Sequence, residues 1–225
     1  MTVPPAIRTE NIEVRRTALF ASLGPEPGAS VNELWYVLHG QGMRAVSFLE
    51  MARATASPSR LIVAPEALSR YYEGPISSSR NTVVGASWMT RDHRETEIRD
   101  YVHYLDDLHA EMQERFGGQT PPVTVLGFSQ GGATSVRWVA EGKVKPAHLV
   151  VWASSLPPDV DFAANQNIRA PKFTYVCGTT DMYITPKVLD GQLAMLRTAN
   201  LPHATESFVG GHRLDDATLQ RIAGA

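Results

Sequence analysis

The sequence predicts a single domain of the α/β class, in which helices cover both faces of a mostly parallel central sheet. Its strand-like runs are short and continuously apolar, as in strands that are buried on both faces. These runs alternate with segments of helical periodicity. The length of 225 residues is usual for one α/β domain and is sufficient to bury a full core.

The first strands and the first helix are predicted within residues 17–65. Residues 17–23 have strand character and precede a turn rich in proline and glycine, which indicates an edge strand. Residues 34–38 and 61–65 are compact apolar runs that predict buried strands. A short helix is predicted between them, over residues 43–54.

Residues 65–90 show no regular periodicity and predict a long irregular segment. Connections of this length in a compact domain are usually functional, so we expect a wall of the substrate site here. Beyond it, apolar residues recur at three- and four-residue steps as far as Phe116. This spacing predicts a long helix with its N-cap at Thr90.

The second half of the chain continues the alternation without an internal repeat or a linker, so one domain is expected over residues 1–225. Strands are predicted at residues 123–126, 147–153, 172–177 and 205–209, and helices at residues 133–140, 186–199 and 214–222.

The chain is organised around the motif Gly-Phe-Ser-Gln-Gly at residues 127–131, which joins a predicted strand to a predicted helix. This is the context of a nucleophile elbow, a turn in which the serine takes a strained backbone conformation. The flanking glycines avoid collisions with neighbouring backbone. Ser129 is therefore the candidate nucleophile. The alternative is an ordinary glycine-rich turn, and partners further along the chain decide between the two.

A serine hydroxyl needs a base to accept its proton and a carboxylate to orient that base. In open α/β sheets, functional residues follow the carboxyl ends of strands. His212 follows the last predicted strand on a loop with two glycines, whereas His203 precedes that strand. His212 is therefore the candidate base. Asp181 follows the strand at 172–177 through a glycine turn and is the candidate acid.

Other aspartates remain as alternatives for the acid. Asp159 and Asp161 follow the preceding strand, and Asp190 lies within the next predicted helix. Asp181 can also be read as a turn or helix-cap residue.

Two backbone donors are expected to form an oxyanion hole. The residue after the nucleophile, Gln130, supplies one N–H group at the start of a helix. The second is expected from the loop after the strand at 34–38, where Gly40 and Gly42 allow close approach and Gln41 supplies the N–H group. His39, in the same loop, is expected to be structural.

Composition excludes several other classes. A formal net charge of -2 gives no basic surface for nucleic acid. No segment approaches the roughly 18 apolar residues of a membrane span, and the N-terminus has no signal-peptide core, so a cytoplasmic protein is expected. The single cysteine, Cys177, lies in a predicted buried strand and is expected to be a small core residue.

Four motifs together resemble the phospholipase/carboxylesterase family, which includes the acyl-protein thioesterases. They are Leu-His-Gly at 38–40, Gly-Phe-Ser-Gln-Gly-Gly at 127–132, Gly-Thr-Thr-Asp at 178–181 and Gly-Gly-His at 210–212. The resemblance runs from about residue 31 to 222. It implies a Ser-Asp-His hydrolase on a reduced α/β-hydrolase sheet without a large cap domain. Residues 64–72 and 85–90 look more like those of small bacterial predicted esterases of the family.

The residues and the resemblance predict a serine hydrolase that cleaves small-molecule carboxylic esters through an acyl-enzyme, without a cofactor or metal. Alternatives are a thioesterase or lysophospholipase with the same triad, or a non-catalytic binding protein on this fold. Apolar residues near predicted strand ends are candidates for the substrate pocket: Trp88, Met89, Leu156, Met182 and Tyr183.

Overall fold

The computed structural model describes residues 6–28, 30–74 and 82–224. The strands are Phe20–Leu23 (β1), Glu33–Leu38 (β2), Arg60–Pro65 (β3), Ser69–Tyr72 (β4), Val84–Ser87 (β5), Val123–Phe128 (β6), His148–Trp152 (β7), Lys172–Gly178 (β8) and Ala204–Phe208 (β9). The helices are Ala45–Met51 (α1), Arg94–Arg115 (α2), Gln130–Glu141 (α3), Gln166–Arg169 (α4), Pro186–Thr198 (α5) and Asp216–Ala223 (α6).

The main sheet has seven strands in the order β1-β3-β2-β6-β7-β8-β9. All neighbouring strands are parallel except β1, which pairs antiparallel with β3 at one edge. This confirms the mostly parallel sheet, and the edge strand expected within residues 17–23. Because the parallel strands point the same way, the loops that follow β2, β6, β8 and β9 all leave the sheet at one edge.

Successive residues of the central strands face two separate cores. In β2, Leu34, Tyr36 and Leu38 belong to the core that includes residues of α2, α3 and α5. Trp35 and Val37, which alternate with them, belong to the core that includes residues of α1 and α6. Both faces of the sheet are therefore covered by helices, which explains why its strands read as continuous apolar runs.

The segment at residues 65–90 differs most from expectation, because β4 and β5 form an antiparallel hairpin there. The backbone N–H of Glu73 donates to Val83 O at 2.8 Å and extends the pairing by one step. The prediction of a wholly irregular segment is wrong for these strands. Each has four residues and β4 is largely exposed, so no apolar run marks them. Residues 75–81 of the segment lie outside the described residues.

The long helix α2 begins later than expected. It starts at Arg94 after His93, whose φ of 50° places it in the left-handed region. The prediction of Thr90 as N-cap is therefore wrong, and the Thr90 hydroxyl donates to Asp92 O at 3.2 Å. Glu97 in the first turn suits the positive end of the helix dipole. In the described part of the chain, no helix has the length and apolar character needed to cross a membrane.

Candidate active site

Ser129 lies at the turn between β6, near the middle of the sheet, and the first residue of α3. Its backbone has φ 53° and ψ −121°, a conformation that is strained for a residue with a side chain. The turn is held to the next strand because the Ser129 N–H donates to Trp152 O at 2.9 Å. This is the backbone geometry of a nucleophile elbow.

The glycines of the motif are required by close backbone packing. A Cβ atom on Gly127 would lie 2.6 Å from the Ser135 Oγ atom and would also strike the carbonyl of Gly131. A Cβ atom on Gly131 would lie 2.6 Å from His39 O, at the end of the neighbouring strand β2. Real Cβ atoms do not approach other atoms within 3.0 Å. Any larger residue would therefore push α3 away from the sheet edge.

His212 and Asp181 form a hydrogen-bonded pair at the same edge. The His212 Nδ1–H donates to Asp181 Oδ2 at 2.8 Å. Asp181 is buried, and its other oxygen accepts from the backbone N–H groups of Tyr183 at 2.8 Å and Ile184 at 2.9 Å. Three hydrogen bonds thus hold the carboxylate, and the carboxylate fixes the histidine tautomer.

Two glycine loops bring this pair together. The Thr180 N–H donates to Gly210 O at 2.9 Å, which ties the loop after β8 to the loop after β9. A Cβ atom on Gly178 would lie 2.5 Å from Gly211 O, so the two backbones touch. The His212 ring then packs against Phe128, with ring centroids 4.8 Å apart.

The alternative acids have other partners. Asp159 accepts two hydrogen bonds from the buried Arg137, at 2.7 and 2.8 Å, and one from Arg94 at 2.6 Å. The Arg137 guanidinium holds the pKa of Asp159 well below its usual range. Asp161 accepts from the backbone N–H groups at the start of the following turn. The structure brings neither carboxylate to His212.

Ser129 and His212 line one open cavity of about 640 Å³. Within the described residues, no hydrogen bond joins the Ser129 hydroxyl to the imidazole. Such bonds are often long in substrate-free enzymes and shorten when a substrate binds. The Nε2 atom of His212 remains available on the ring, because Nδ1 is engaged by Asp181.

The loop after β2 presents its backbone to this cavity. Residues 40–43 form a turn in which the Met43 N–H donates to Gly40 O at 3.2 Å, and Gly42 has φ 81°. The Gly42 N–H donates to Ala86 O at 2.9 Å, which anchors the turn to β5. Gln41 lines the cavity, and its own N–H has no hydrogen-bond partner among the described residues. It is free to donate to a ligand.

The side chain of Gln130 joins the elbow to the end of β5. Its Nε2 donates to Met89 O at 2.8 Å, and its Oε1 accepts from the Trp88 N–H at 2.9 Å. The backbone N–H of Gln130, at the first position of α3, has no partner within the helix. The amide side chain therefore ties the first residue of α3 to the segment that follows β5.

His39 is structural, as expected from its position. It is fully buried, with Nδ1–H donating to Gly40 O at 2.8 Å and Nε2 accepting from the Ala67 N–H at 3.0 Å. Burial lowers the pKa of the imidazole, so the neutral ring is favoured. It supports the loop that carries Gln41.

The five residues suggested for the substrate pocket are dispersed. Tyr183 lines the cavity and is 65% exposed. Met182 is exposed, whereas Trp88 and Leu156 are buried in the core. Met89 packs against the same core. None of these last four is among the described residues that line the cavity.

Several residues that line the cavity are not marked by any motif in the sequence, and Tyr71 and Glu73 are the polar ones among them with the largest side chains. Both come from the β4–β5 hairpin, whose strands had no recognisable pattern. The expectation that the segment at 65–90 forms a wall of the site did point to this region, but no spacing or motif marked these side chains.

Cys177, the single cysteine of the sequence, lies in β8. Cys177 is buried, and burial raises the pKa of its thiol to about 11, which fits the expected core role. In residues 6–28, 30–74 and 82–224, no group of His, Cys, Asp and Glu side chains is arranged to hold a metal ion.

No protein-family model and no curated protein matches the sequence. Solved structures do match the fold. Acyl-protein thioesterase 2 of Zea mays is 15% identical, with a TM-score of 0.68, over 92% of this chain and 97% of that chain. A phospholipase/carboxylesterase of Dyadobacter fermentans is 14% identical, with a TM-score of 0.63, over 96% and 99% of the two chains.

A third neighbour is a carboxylesterase of Mesorhizobium loti, 16% identical, with a TM-score of 0.65, over 86% of this chain and 89% of that chain. At this level of identity the likeness shows the fold. The names of these neighbours match the family that the sequence motifs resemble. No cap domain is evident in the described residues. The chain therefore has the α/β-hydrolase fold.

Proposed function

We propose that this protein is a serine hydrolase that cleaves carboxylic esters through an acyl-enzyme intermediate. One observation carries the proposal. A serine in a strained turn lines the same cavity as a histidine that is hydrogen-bonded to a buried aspartate. The backbone of Ser129 is strained, and strained residues concentrate at functional sites.

The proposed reaction uses the polar groups of the cavity. The Ser129 Oγ attacks the ester carbonyl carbon while its proton passes to His212 Nε2. Asp181 stabilises the imidazolium that forms. The N–H groups of Gln41 and Gln130 donate to the developing oxyanion.

The tetrahedral intermediate then collapses, and the bond to the alcohol oxygen breaks. His212 returns the proton to that oxygen, so the alcohol leaves and an acyl-Ser129 ester remains. Water gives a proton to His212 and attacks the acyl carbon. A second collapse releases the carboxylic acid, and the proton returns to Ser129.

A thioester is the second candidate substrate, because a thiol can replace the alcohol as the leaving group in these steps. The name of the maize neighbour favours this candidate. The two candidates differ in the leaving group, which is an alcohol for an ester and a thiol for a thioester.

The proposal is tested by hydrolysis of p-nitrophenyl acetate, butyrate, octanoate and palmitate and of the matching acyl-thioesters at neutral pH. Ser129→Ala is expected to lower turnover at least about 10³-fold. Ser155→Ala, a serine of the same cavity, is the matched control and is expected to retain turnover. Wild-type protein that is inert toward every ester and thioester would contradict the proposal, and a binding role would then lead.

A further inference from the structure

The described residues that line the cavity beside Ser129 include one acidic side chain, Glu73, and no lysine or arginine. The other titratable groups among them are the phenols of Tyr71 and Tyr183 and the imidazole of His212. The described residues at the mouth of the proposed active site therefore carry a formal negative charge at neutral pH.

The position of Glu73 is set by backbone pairing and by two glycines. Its N–H donates to Val83 O, so it continues the β4–β5 hairpin. Its Oε1 atom occupies space that is open only because two neighbours are glycines. A Cβ atom added to Gly42 would lie 2.6 Å from this oxygen, and one added to Gly85 would lie 2.7 Å from it. Gly42 follows Gln41, whose N–H is a proposed oxyanion donor. The carboxylate thus lies beside the oxyanion loop.

Two arginines of the same region pair with another carboxylate and not with Glu73. Arg44 and Arg70 both pair with Glu66, each at 2.6 Å, and the Glu66 side chain is only 1% exposed. Among the described residues, Glu73 takes part in no ion pair. The phenol oxygen of Tyr71 lies near the same glycine, 3.6 Å from the Cβ position of Gly42.

We propose that Glu73 makes the enzyme selective for esters that carry a positive charge close to the scissile bond, an inference that rests on the proposed function. A carboxylate attracts a cation across the cavity, and the faces of Tyr71 and Tyr183 offer cation–π contacts to an ammonium group. The same carboxylate opposes the oxyanion that forms on a neutral ester. Substrate charge and catalysis are therefore coupled at one residue.

The test compares cationic esters with neutral esters of the same shape. Acetylcholine and 3,3-dimethylbutyl acetate differ in the charge of the alcohol part of the ester. The p-nitrophenyl esters of 4-(trimethylammonio)butyrate and 5,5-dimethylhexanoate differ in the charge of the acyl chain. We expect kcat/KM to favour the cationic member of at least one pair by about two- to fivefold at low salt, as for a solvent-exposed ion pair. The pair that responds identifies which side of the ester faces Glu73.

Variants separate charge from structure. In Glu73→Gln, the ratio of kcat/KM for the cationic ester to kcat/KM for the neutral ester is expected to fall to about one, and kcat for the neutral esters is expected to rise. In Glu73→Lys, kcat/KM is expected to be higher for the neutral ester of the pair. Added salt is expected to shrink the wild-type ratio, because it screens exposed charges. Glu114→Gln, an exposed acid on α2, is the control and is expected to leave the ratio unchanged. Unchanged melting temperatures exclude misfolding as the cause.

Two outcomes overturn the inference and are distinguishable. Ser129-dependent hydrolysis with a ratio of one for both pairs, or a ratio that Glu73→Gln leaves unchanged, refutes charge selection and leaves the proposed function standing. Absence of hydrolysis of all four esters, together with failure of a fluorophosphonate to label Ser129, refutes both.

Discussion

Alanine at Gly131 and at Gly191 tests the packing that holds the elbow against the sheet. Both glycines lie inside helices, Gly131 in α3 and Gly191 in α5. A Cβ atom on Gly131 would strike the carbonyl oxygens of Leu38 and His39, whereas nothing lies within 4 Å of a Cβ atom on Gly191. The two substitutions are chemically identical, and the main difference between them is what the new methyl group meets.

The magnitude follows from two opposing effects. Alanine is favoured over glycine within a helix by about 0.5–1 kcal/mol, so Gly191→Ala should raise the free energy of unfolding by that amount. Overpacking costs about 1–3 kcal/mol, and the upper end applies to Gly131 because its obstacles are backbone atoms rather than a flexible side chain. The helix gain applies to Gly191 within α5 more than to Gly131, the second residue of α3, which leaves a difference of at least about 3 kcal/mol. For a chain of this size that equals a gap of roughly 6–12 °C in Tm.

The assay is thermal and urea unfolding of both variants, with turnover of p-nitrophenyl butyrate measured on the folded proteins. Because the obstructing carbonyls precede Gln41 in the chain, Gly131→Ala should also lower turnover, by about tenfold. Gly191→Ala should retain wild-type turnover. Equal Tm shifts for the two variants would refute the packing argument.

Three further predictions concern single side chains. Asp181→Asn should lower kcat on p-nitrophenyl butyrate by roughly 10³–10⁴-fold with KM unchanged, because an amide no longer fixes the imidazole tautomer; a loss below tenfold would count against the assigned acid. Asp159→Asn leaves the buried Arg137 unpaired and should lower the free energy of unfolding by about 1–3 kcal/mol at pH 7. Since the pKa of Asp159 is depressed when folded, that deficit should shrink in urea unfolding at pH 3. Burial lowers the pKa of His148 to about 4 from an ordinary value of 6.5, so the unfolded chain binds the proton first. The Tm of the wild-type protein should therefore fall as the pH is lowered from 6.5 to 4. The Tm of His148→Gln should fall less over the same interval.

The main sheet was predictable because its strands are buried on both faces. The run at 34–38 became β2, and the run at 172–177 became β8, each with one more residue at an end. The hairpin of β4 and β5 was not predicted, because β4 is largely exposed. Its exposed positions carry Arg70, Tyr71 and Tyr72, so neither a continuous apolar run nor an alternation marks it.

The candidate triad was predictable from chain order and strand ends. Ser129, Asp181 and His212 each follow a strand of one parallel sheet, and topology alone brings such positions to one edge. The contacts of Glu73 were not predictable, because they depend on how a hairpin folds over two glycines from distant parts of the chain. Trp88 was placed near the site, but its indole N–H reaches back to His39 O at 2.8 Å, and its ring is buried there.

The central claim is that Ser129 is a nucleophile activated by His212, and covalent labelling tests it most directly. A fluorophosphonate is incubated with the wild-type protein and with Ser129→Ala, Ser155→Ala and His212→Asn, and the adduct is located by peptide mass spectrometry. We expect one adduct per chain on Ser129, retained in Ser155→Ala, absent in Ser129→Ala and formed far more slowly in His212→Asn. Wild-type protein without an adduct, or with the adduct on Ser154 or Ser155, would contradict it.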